Sequence, residues 1–496
     1  MKRLPNSRKE KINKNQDNKA NNLLIIGAGM GAREIIIAIK NNMRDKYNIV
    51  GIIDDDISKI NHYILGVKVL GTRYDIPKIA KEKNVDLIFF AINKIDAISR
   101  RKILEICQET GVKTRVLPTT EEVITKHGAM NSLRDVQIED LLGREPVHLD
   151  NKNINSLIKN KTVLVTGGGG SIGSELCRQI VKYDPKRLVI LDIYENNLYD
   201  IEMELRAEYP KLNLEAIVAS VRDKARLNNV FETYKPEIVF HAAAHKHVPL
   251  MEKSPLEAIK NNVFGTYNVV NCADEYGVEK FVLISTDKAV NPTNIMGASK
   301  RVCEMIVQAK NKVSNTEYAA VRFGNVLGSN GSVIPLFKKQ IERGGPVTVT
   351  HKDITRFFMT IPEAVQLILQ AVTYAKGGEI FVLDMGEPVK IYDLAVSLIK
   401  LLGYEPNVDI PIEITGLRPG EKLYEEILMS EEGLTSTKHN KIFITEPMSI
   451  TMEELEEKLE KLKELLKLEK DENSEVKRYI KEIVPTFKEP EEVNNK

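Results

Sequence analysis

Three consecutive polar residues, Thr286, Asp287 and Lys288, follow shortly after the apolar run 281–284. The run predicts a buried strand, and ligands of open α/β sheets bind at the carboxyl ends of the strands. A hydroxyl, a carboxyl and an amine at such an edge are groups that can exchange protons with a substrate. We therefore take this triplet as the centre of a candidate active site.

Met296 and Lys300 stand four residues apart on one face of a predicted helix. In the pattern of short-chain dehydrogenases and reductases this pair is tyrosine and lysine, so methionine replaces the tyrosine here. Met296 has no acid–base capacity, and we expect it to pack against apolar neighbours. The proton of a substrate hydroxyl would then pass to Thr286, Lys300 or an ordered water.

A glycine-rich loop lies between the strand-like run 161–166 and a helical pattern. In this context backbone N–H groups and a helix N-terminus can receive a pyrophosphate. Asp192 ends the next apolar run, where a carboxylate can bind ribose hydroxyls and would repel the 2′-phosphate of NADP. The pattern predicts NAD, with the following binding residues: Gly167, Gly170, Ser171, Ile172, Gly173 and Asp192.

An earlier glycine loop, Gly27 to Gly31, follows the apolar run 23–26. The next apolar run ends at Asp54, the first of three consecutive aspartates. These carboxylates could bind a ribose or form a solvated turn. The loop therefore either binds a nucleotide or belongs to a scaffold domain that keeps the fold without the ligand.

Strand-like runs alternate with helical patterns along most of the chain, which predicts an α/β protein. We expect two Rossmann-like, doubly wound parallel-sheet domains, the second with a small C-terminal substrate lobe. Leu455, Leu459, Leu462 and Leu466 fit either a coiled coil or, as we favour, an amphipathic helix packed on the second domain. The expected segments are a disordered basic tail (1–21), an N-terminal domain (22–133), a linker (134–158), the NAD-binding domain with its lobe (159–445) and a charged helical segment (446–496).

Composition limits the classes of partner. Lys and Arg number 71 against 70 Asp and Glu, and this balance argues against nucleic acid, which requires concentrated cationic surface. Four cysteines without C-x-x-C spacing indicate neither disulfides nor zinc. His241, His245 and His247 have no carboxylate partner in the sequence pattern, so we expect no metal. No apolar stretch is long enough to span a membrane.

Five motifs occur in order, at residues 166–173, 241–249, 285–288, 322–325 and 418–422. On these motifs, residues 160–440 resemble the nucleoside-diphosphate-sugar 4,6-dehydratases of bacterial polysaccharide biosynthesis, which are extended short-chain dehydrogenases/reductases. The Thr-Asp-Lys triplet with Met296 is similar to the configuration-retaining UDP-N-acetylglucosamine 4,6-dehydratases, whereas inverting relatives keep the tyrosine. The resemblance implies an NAD-dependent lyase that acts on a UDP-sugar.

The resemblance also implies a redox-neutral reaction. Oxidation at C4 of the sugar acidifies the C5 proton, water is lost across C5 and C6, and hydride returns to C6. Lys288 would be the base at C5 and Asp287 the acid at the 6-hydroxyl, with Thr286 and Lys300 also catalytic and Lys300 holding the nicotinamide ribose. Because a lysine base must be neutral, we expect burial and nearby cations to lower the pKa of Lys288.

Further binding residues come from the same resemblance. The implied additions to the cofactor site are Asp223, Ala242, Ala243 and Lys300. The implied substrate-binding residues are Lys246, Asn325, Arg356, Arg418 and Glu421. Arg356 and Arg418 would clamp the diphosphate and Glu421 would accept from ribose hydroxyls, although each could form a structural salt bridge instead. Asp223 would contact the adenine or form a surface ion pair, and Asn262 would support the active-site strand.

Two other functions stay open. A 4-epimerase needs only hydride removal and return at C4, which would leave Asp287 and Lys288 without a task. A catalytically silent nucleotide-sugar sensor would explain Met296, but the presence of Lys288 and Lys300 argues against it.

The basic N-terminus suggests where the protein works. Residues 1–22 contain seven Lys or Arg against Glu10 and Asp17, which fits a solvated tail or contact with acidic lipids. Many members of the resembled family carry transmembrane helices before the first domain. We therefore expect a cytoplasmic enzyme that works beside the membrane, with the basic tail as the contact to its inner face. The resemblance separately implies a homo-oligomer, because extended members of the superfamily often pair through helices.

Overall fold

The computed structural model describes residues 20–117, 129–144, 147, 149–426, 433–445, 449–467 and 473–494. They form two compact units that divide between Glu145 and Pro146, and residues 396–409 group with the first unit. The expected basic tail lies outside the described residues as far as residue 19, and Asn21 already begins the first strand. Within the described chain, no helix combines the length and apolar character that a membrane crossing requires.

A seven-stranded sheet forms the centre of the first unit. Its strands are β1 (Asn21–Ile26), β2 (Tyr47–Ile53), β3 (Tyr63–Ile64), β4 (Val67–Gly71), β5 (Leu87–Phe90), β6 (Lys113–Val116) and β7 (Arg134–Asp135). The order is β3-β4-β2-β1-β5-β6-β7, and pairing is parallel except between β3 and β4 and between β6 and β7. Leu23 to Ile26 are fully buried, as expected for a central strand covered on both faces.

The helices of this unit pack apolar stripes against the sheet. In the first helix, Ala32, Ile35, Ile36 and Ile39 recur at helical spacing and are buried. The described α-helices before residue 145 are Met30–Asn42, Ile76–Glu82, Ala97–Glu109 and Ala129–Ser132, with 3-10 turns at Ile57–Lys59, Arg73–Asp75 and Ile138–Leu141.

The three aspartates after β2 make contacts within the first unit. Asp54 accepts a hydrogen bond from the amide of Ala28 in the glycine loop, 2.7 Å away, and its other oxygen lies 3.2 Å from Lys59 Nζ. Asp55 pairs with Arg73, and Asp56 caps the turn at Ser58. These contacts fit the solvated-turn alternative, while Asp54 also supports the glycine loop.

A nine-stranded sheet forms the centre of the second unit. Its strands in chain order are β8 (Thr162–Thr166), β9 (Arg187–Asp192), β10 (Leu214–Val218), β11 (Ile238–His241), β12 (Lys280–Ile284), β13 (Glu317–Arg322), β18 (Ile380–Leu383), β21 (Leu434–Ser436) and β22 (Ile442–Thr445). They lie in the order β10-β9-β8-β11-β12-β13-β18-β22-β21, with antiparallel pairing only at β18–β22 and β22–β21. Six short strands form three separate pairs: β14 (Asn325–Val326) with β17 (Phe358–Met359), β15 (Val347–Val349) with β20 (Ile412–Ile414), and β16 (Thr355–Arg356) with β19 (Val389–Lys390).

Helices cover both faces of this sheet. Alternate residues of one strand belong to two different core clusters, as with Leu164 in one and Val163 and Val165 in the other, so both faces are buried. The α-helices from residue 151 onward are Asn151–Ile158, Ser171–Ile180, Glu195–Glu208, Lys224–Tyr234, Val248–Lys253, Pro255–Ala258, Gly265–Glu275, Ile295–Asn311, Val333–Glu342, Ile361–Val372, Ile391–Leu401, Met452–Lys467, Asn473–Ile483 and Pro490–Asn494. The predicted α/β class with two Rossmann-like sheets is confirmed.

The strand order reverses between β8 and β11, the point where doubly wound sheets bind ligands. Both strands end there, and the glycine loop follows β8. The fold therefore predicts a ligand site at the carboxyl ends of β8, β11 and β12.

The leucine-rich C-terminal helix packs on the second unit, as the favoured interpretation predicted. Leu455, Leu459 and Leu462 are buried in the same cluster as Val302 and Ile306 of the helix Ile295–Asn311. Leu465 is the fourth buried leucine of this helix. The sequence pattern predicts Leu466 instead, but Leu466 is only partly buried.

The expected linker, 134–158, contains regular structure. β7 pairs with β6, and Ile154 and Ile158 of the helix Asn151–Ile158 are fully buried in the second unit. Ile154 and Ile158 stand one helical turn apart and form a narrow buried stripe. The segment is otherwise mainly polar, so its sequence does not predict a packed helix.

Candidate active site

A cavity of about 890 Å³ in the second unit opens at the carboxyl ends of β8, β11, β12 and β13. Most of the predicted site residues line it, although Asp192, Asp223, Ala243 and Asp287 do not. The predicted residues in its wall are Gly167, Gly170, Ser171, Ile172, Gly173, Ala242, Lys246, Thr286, Lys288, Met296, Lys300, Asn325, Arg356, Arg418 and Glu421.

The glycine loop after β8 leaves room for a ligand because side chains are excluded from it. Gly167 has φ +68°, and a Cβ there would lie 2.6 Å from the amide nitrogen of Ala243. A Cβ on Gly173 would overlap the carbonyl oxygen of Gly167, so this glycine lets the helix start against the loop. Gly170 is the N-cap of that helix and offers no capping side chain, which leaves its first amides for an anion.

Asp192 and Asp223 both lie outside the cavity wall but differ in their contacts. Asp192 ends β9 and accepts hydrogen bonds from Gly169 N and Tyr194 N, each at 2.9 Å. It thus stands beside the glycine loop, as a ribose ligand should. Asp223 is exposed and accepts from Arg226 N at 2.9 Å, so the contact that the structure shows is an N-cap of the helix Lys224–Tyr234.

The candidate catalytic triplet, Thr286 to Lys288, lies at a 3-10 turn after β12. Thr286 caps the turn and donates to Asp287 Oδ1 at 2.9 Å. Lys288 Nζ donates to the same oxygen at 2.9 Å and to Asn325 Oδ1 at 3.1 Å. Asp287 is fully buried, and its Oδ2 has no hydrogen-bond partner in the described part of the chain. A carboxyl and an amine thus share one hydrogen bond at the cavity edge.

The prediction that the pKa of Lys288 is lowered is wrong. Burial does act in that direction, but the carboxylates of Asp287 and Glu425 outweigh it, and the pKa lies above its ordinary value. Glu425 is a cavity residue that the sequence reasoning missed, and its Oε1 lies 3.7 Å from Lys288 Nζ. The two carboxylates therefore favour the ammonium form of Lys288.

The helix after the triplet approaches the turn very closely. Asn294 caps it by accepting from Gly297 N at 2.8 Å. A Cβ on Gly297 would overlap the carbonyl oxygen of Lys288, so glycine is needed there. Met296 and Lys300 are buried in the cavity wall, and burial lowers the pKa of Lys300. Gly297 was not identified from the sequence, although it lies between Met296 and Lys300, which were identified.

A buried ion cluster behind the triplet joins β12 and β13 to this helix. Glu304 Oε1 accepts from Ser285 Oγ at 2.7 Å, and its other oxygen accepts from Arg322 at 2.9 Å and Arg301 at 3.0 Å. Burial alone would raise the pKa of Glu304, but the two guanidinium groups lower it to about 2. Removing one member would leave a buried charge unpaired. The Arg301–Glu304 spacing, three residues apart on one helix, is a sequence signal for part of this cluster.

His241 has a structural role. Its Nδ1 lies 2.7 Å from Thr166 Oγ1 and its Nε2 lies 2.9 Å from Thr266 Oγ1, so both ring nitrogens are occupied. Burial, with Lys300 nearby, lowers its pKa to about 3 and keeps the ring neutral. Among the residues that the structure describes, no three His, Cys, Asp or Glu side chains are arranged to hold a metal ion.

Asn262 supports a cavity loop rather than the active-site strand. Its side chain accepts from His245 N at 2.7 Å and donates to His245 O at 3.0 Å and to Ser299 Oγ at 2.9 Å. It lies in a π-helical turn, Ile259–Phe264, of a kind often found at functional sites. The loop that it holds carries Lys246, whose pKa burial lowers.

The two predicted clamp arginines have different surroundings. Arg356 is buried and donates to the carbonyl oxygens of Thr355 and Lys422 at 2.7 and 2.8 Å, and it also pairs with Glu421. Arg418 has a side chain that is 55% exposed and pairs with Glu421 at 3.0 Å. Burial would raise the pKa of Glu421, but hydrogen bonds from Arg418 and its positive charge lower it. Arg356 thus has the contacts of a structural residue, whereas Arg418 can reach a ligand.

This fold and site define an extended short-chain dehydrogenase/reductase. Residues 163–447 match the family model described as "Polysaccharide biosynthesis protein", and residues 9–118 match one described as "CoA-binding domain". The chain belongs to the polysaccharide biosynthesis protein family.

Three similar proteins illustrate the range of the family. The "Probable polysaccharide biosynthesis protein EpsC" of Bacillus subtilis is 50% identical over 82% of this chain and 68% of its own length. A "UDP-N-acetylglucosamine 4,6-dehydratase (inverting)" of Campylobacter jejuni is 35% identical over 56% of this chain and 80% of its own. Among solved structures, Pen from Bacillus thuringiensis has a TM-score of 0.55 at 35% identity, over 59% of this chain and 91% of that chain.

Proposed function

We propose that this protein is a configuration-retaining, NAD-dependent UDP-N-acetylglucosamine 4,6-dehydratase. The observation that carries the proposal is the Asp287–Lys288 pair, a carboxyl and an amine joined at 2.9 Å beside the cavity. An acid and a base are what elimination of water requires. The name of the Campylobacter relative supports the choice of sugar.

The glycine loop fits NAD. Its glycines make a cradle that a Cβ would fill, and Gly170 leaves helix amides uncapped for a pyrophosphate. Asp192 stands beside the loop for the adenosine ribose, and Lys300 reaches the cavity for the nicotinamide ribose. When bound, NAD would supply the hydride acceptor for C4 and the hydride donor for C6.

Proton transfer falls to the residues of the triplet. In the resting ion pair, the proton must first move from Lys288 Nζ to Asp287 Oδ1 along their hydrogen bond, which leaves the net charge unchanged. The neutral Lys288 amine then removes the C5 proton of the 4-keto sugar while Asp287 protonates O6. The C5–C6 double bond forms as the C6–O6 bond breaks, water leaves, and the original ammonium–carboxylate pair is restored.

Cations at the cavity suit a nucleoside diphosphate. Arg418 presents a guanidinium beside the cavity, and guanidinium groups bind phosphate in a bidentate manner. Lys246 adds an amine in the same wall. We place the UDP group here and the sugar towards Thr286 and Lys288.

The product of incubation with UDP-N-acetylglucosamine tests the proposal. Loss of one water by mass, with retained C5 configuration by NMR coupling constants, is the expected result. An isobaric product would instead show a 4-epimerase, and unchanged substrate would favour a nucleotide-sugar sensor.

A further inference from the structure

Glu425 lies against the catalytic lysine. Its side chain is 5% exposed, and its Oε1 stands 3.7 Å from Lys288 Nζ and 3.6 Å from Arg356 Nε. Its Oε2 is buried and makes no hydrogen bond within the described residues. A carboxylate held this deep requires a cationic partner to offset the free-energy cost of its burial. The contacts show two such partners, one of which is the proposed base.

The charges around Lys288 change during the proposed elimination. The charged groups that face it are Asp287 from its own turn, Glu425 from the 418–426 segment and Arg356 from β16. When Lys288 has passed its proton to Asp287, Asp287 becomes neutral. Glu425 is then the carboxylate that still faces the amine at the moment when the amine takes up the C5 proton.

We propose that Glu425 is a positioning residue that acts as the counter-ion of Lys288 and stabilises the ammonium that forms as the C5 proton is removed. The inference rests on the proposed function, because it assigns the base role to Lys288. Glu425 acts through the lysine and exchanges no proton with the sugar. A fixed charge aimed at a group that becomes charged in the transition state lowers the barrier without reorganisation.

The contact between Glu425 and Lys288 also predicts that the pH dependence of kcat changes when Glu425 loses its charge. Removal of the Glu425 charge removes one of the influences that raise the pKa of Lys288, so the pKa falls. Because the resting pair must hold the proton that passes from Lys288 to Asp287, activity is lost when Lys288 releases that proton to solvent, so the alkaline limb of the kcat profile shifts to lower pH. The maximal kcat also falls, since the developing ammonium has lost its partner.

The variants are Glu425→Gln, which removes the charge, and Glu425→Asp, which keeps it on a shorter side chain. Glu426→Gln is the matched control, because Glu426 is the next residue, is 47% exposed and pairs with Lys422 rather than Lys288. We expect Glu425→Gln to lower kcat by about 10- to 100-fold with KM near the wild-type value. Glu425→Asp should recover part of this loss, and Glu426→Gln should resemble the wild type in both kcat and pH profile.

A second measurement does not depend on turnover. Competitive labelling of the full-length protein with trace acetic anhydride across pH, read by mass spectrometry of the Lys288 peptide, reports how readily the amine loses its proton. Labelling should begin at lower pH in Glu425→Gln than in the wild type or Glu426→Gln. An unchanged labelling curve, or a Glu425→Gln enzyme with wild-type kcat and pH limb, overturns the inference. A shifted curve in a protein that releases no water overturns the proposed function and leaves the Glu425–Lys288 pairing supported.

Discussion

Gly297 offers a sharp test of how closely the site must be packed. Replacing it with alanine would place a Cβ against the Lys288 carbonyl, 3.0 Å from the carbonyl carbon. Carbon atoms in contact normally lie about 3.5–4.0 Å apart, so the turn that carries the triplet or the helix must move by at least about 0.5–1 Å. The carbonyl oxygen, which lies closer to the new Cβ than the carbon does, sets the larger demand. The obstacle is backbone, which cannot rotate out of the way as a side-chain tip can.

The expected effects on stability and activity differ in size. Alanine improves helix propensity by about 1 kcal/mol over glycine, while overpacking costs about 1–3 kcal/mol, so the net loss of stability should be about 0–2 kcal/mol. A displacement near 1 Å at reacting groups costs about 100-fold in rate. Activity should therefore fall far more than stability.

Steady-state kinetics with UDP-N-acetylglucosamine and urea unfolding, measured on the same preparations, would separate the two effects. Gly265→Ala is the control, because its Cβ would meet the Val221 side chain and not the catalytic turn. A Gly297→Ala enzyme with wild-type kcat would refute the reasoning, since the turn would then tolerate the displacement.

Three further predictions concern other parts of the molecule. Lys288→Met should abolish exchange of the C5 proton with deuterated solvent, and persistent exchange would remove the lysine from the base role. Glu304 has its pKa lowered from 4.5 to about 2, so it contributes stability that is complete above 4.5 and is lost as pH falls towards 2; urea unfolding from pH 6 to 3 should depend on pH less steeply in Glu304→Gln. The full chain should float with anionic liposomes more than a chain lacking residues 1–22, and equal flotation would contradict membrane contact through the tail.

Much of the site could be predicted because its parts are local in sequence. The apolar run before Thr286 forms β12, and the triplet follows at its carboxyl end. The glycine spacing before Ser171 predicts a strand, a tight turn and a helix start, all of which the structure contains. These features depend on interactions within about ten residues, where propensity and periodicity carry most of the information.

The errors have a common cause. The pKa of Lys288 was expected to fall, but Glu425 approaches it from a segment far along the chain. The carbonyl of Lys422 and the carboxylate of Glu421 contact the guanidinium of Arg356, which fits the salt-bridge alternative, and its role at the diphosphate stays a prediction. Leu465 is buried where the sequence pattern predicts Leu466, because the rotation of a helix about its axis depends on the surface against which it packs.

Residue types and their order were enough to establish the α/β class, the two glycine loops and the position of the Thr-Asp-Lys triplet at the end of a strand, because each follows from short-range backbone preference and apolar periodicity. Folding decided the direction in which the pKa of Lys288 shifts, the pairing of Glu304 with Arg301 and Arg322, and the need for glycine at 297. Electrostatic and steric energies depend on distance through space. Side chains far apart in sequence set them only once the sheet and its helices have brought those side chains together.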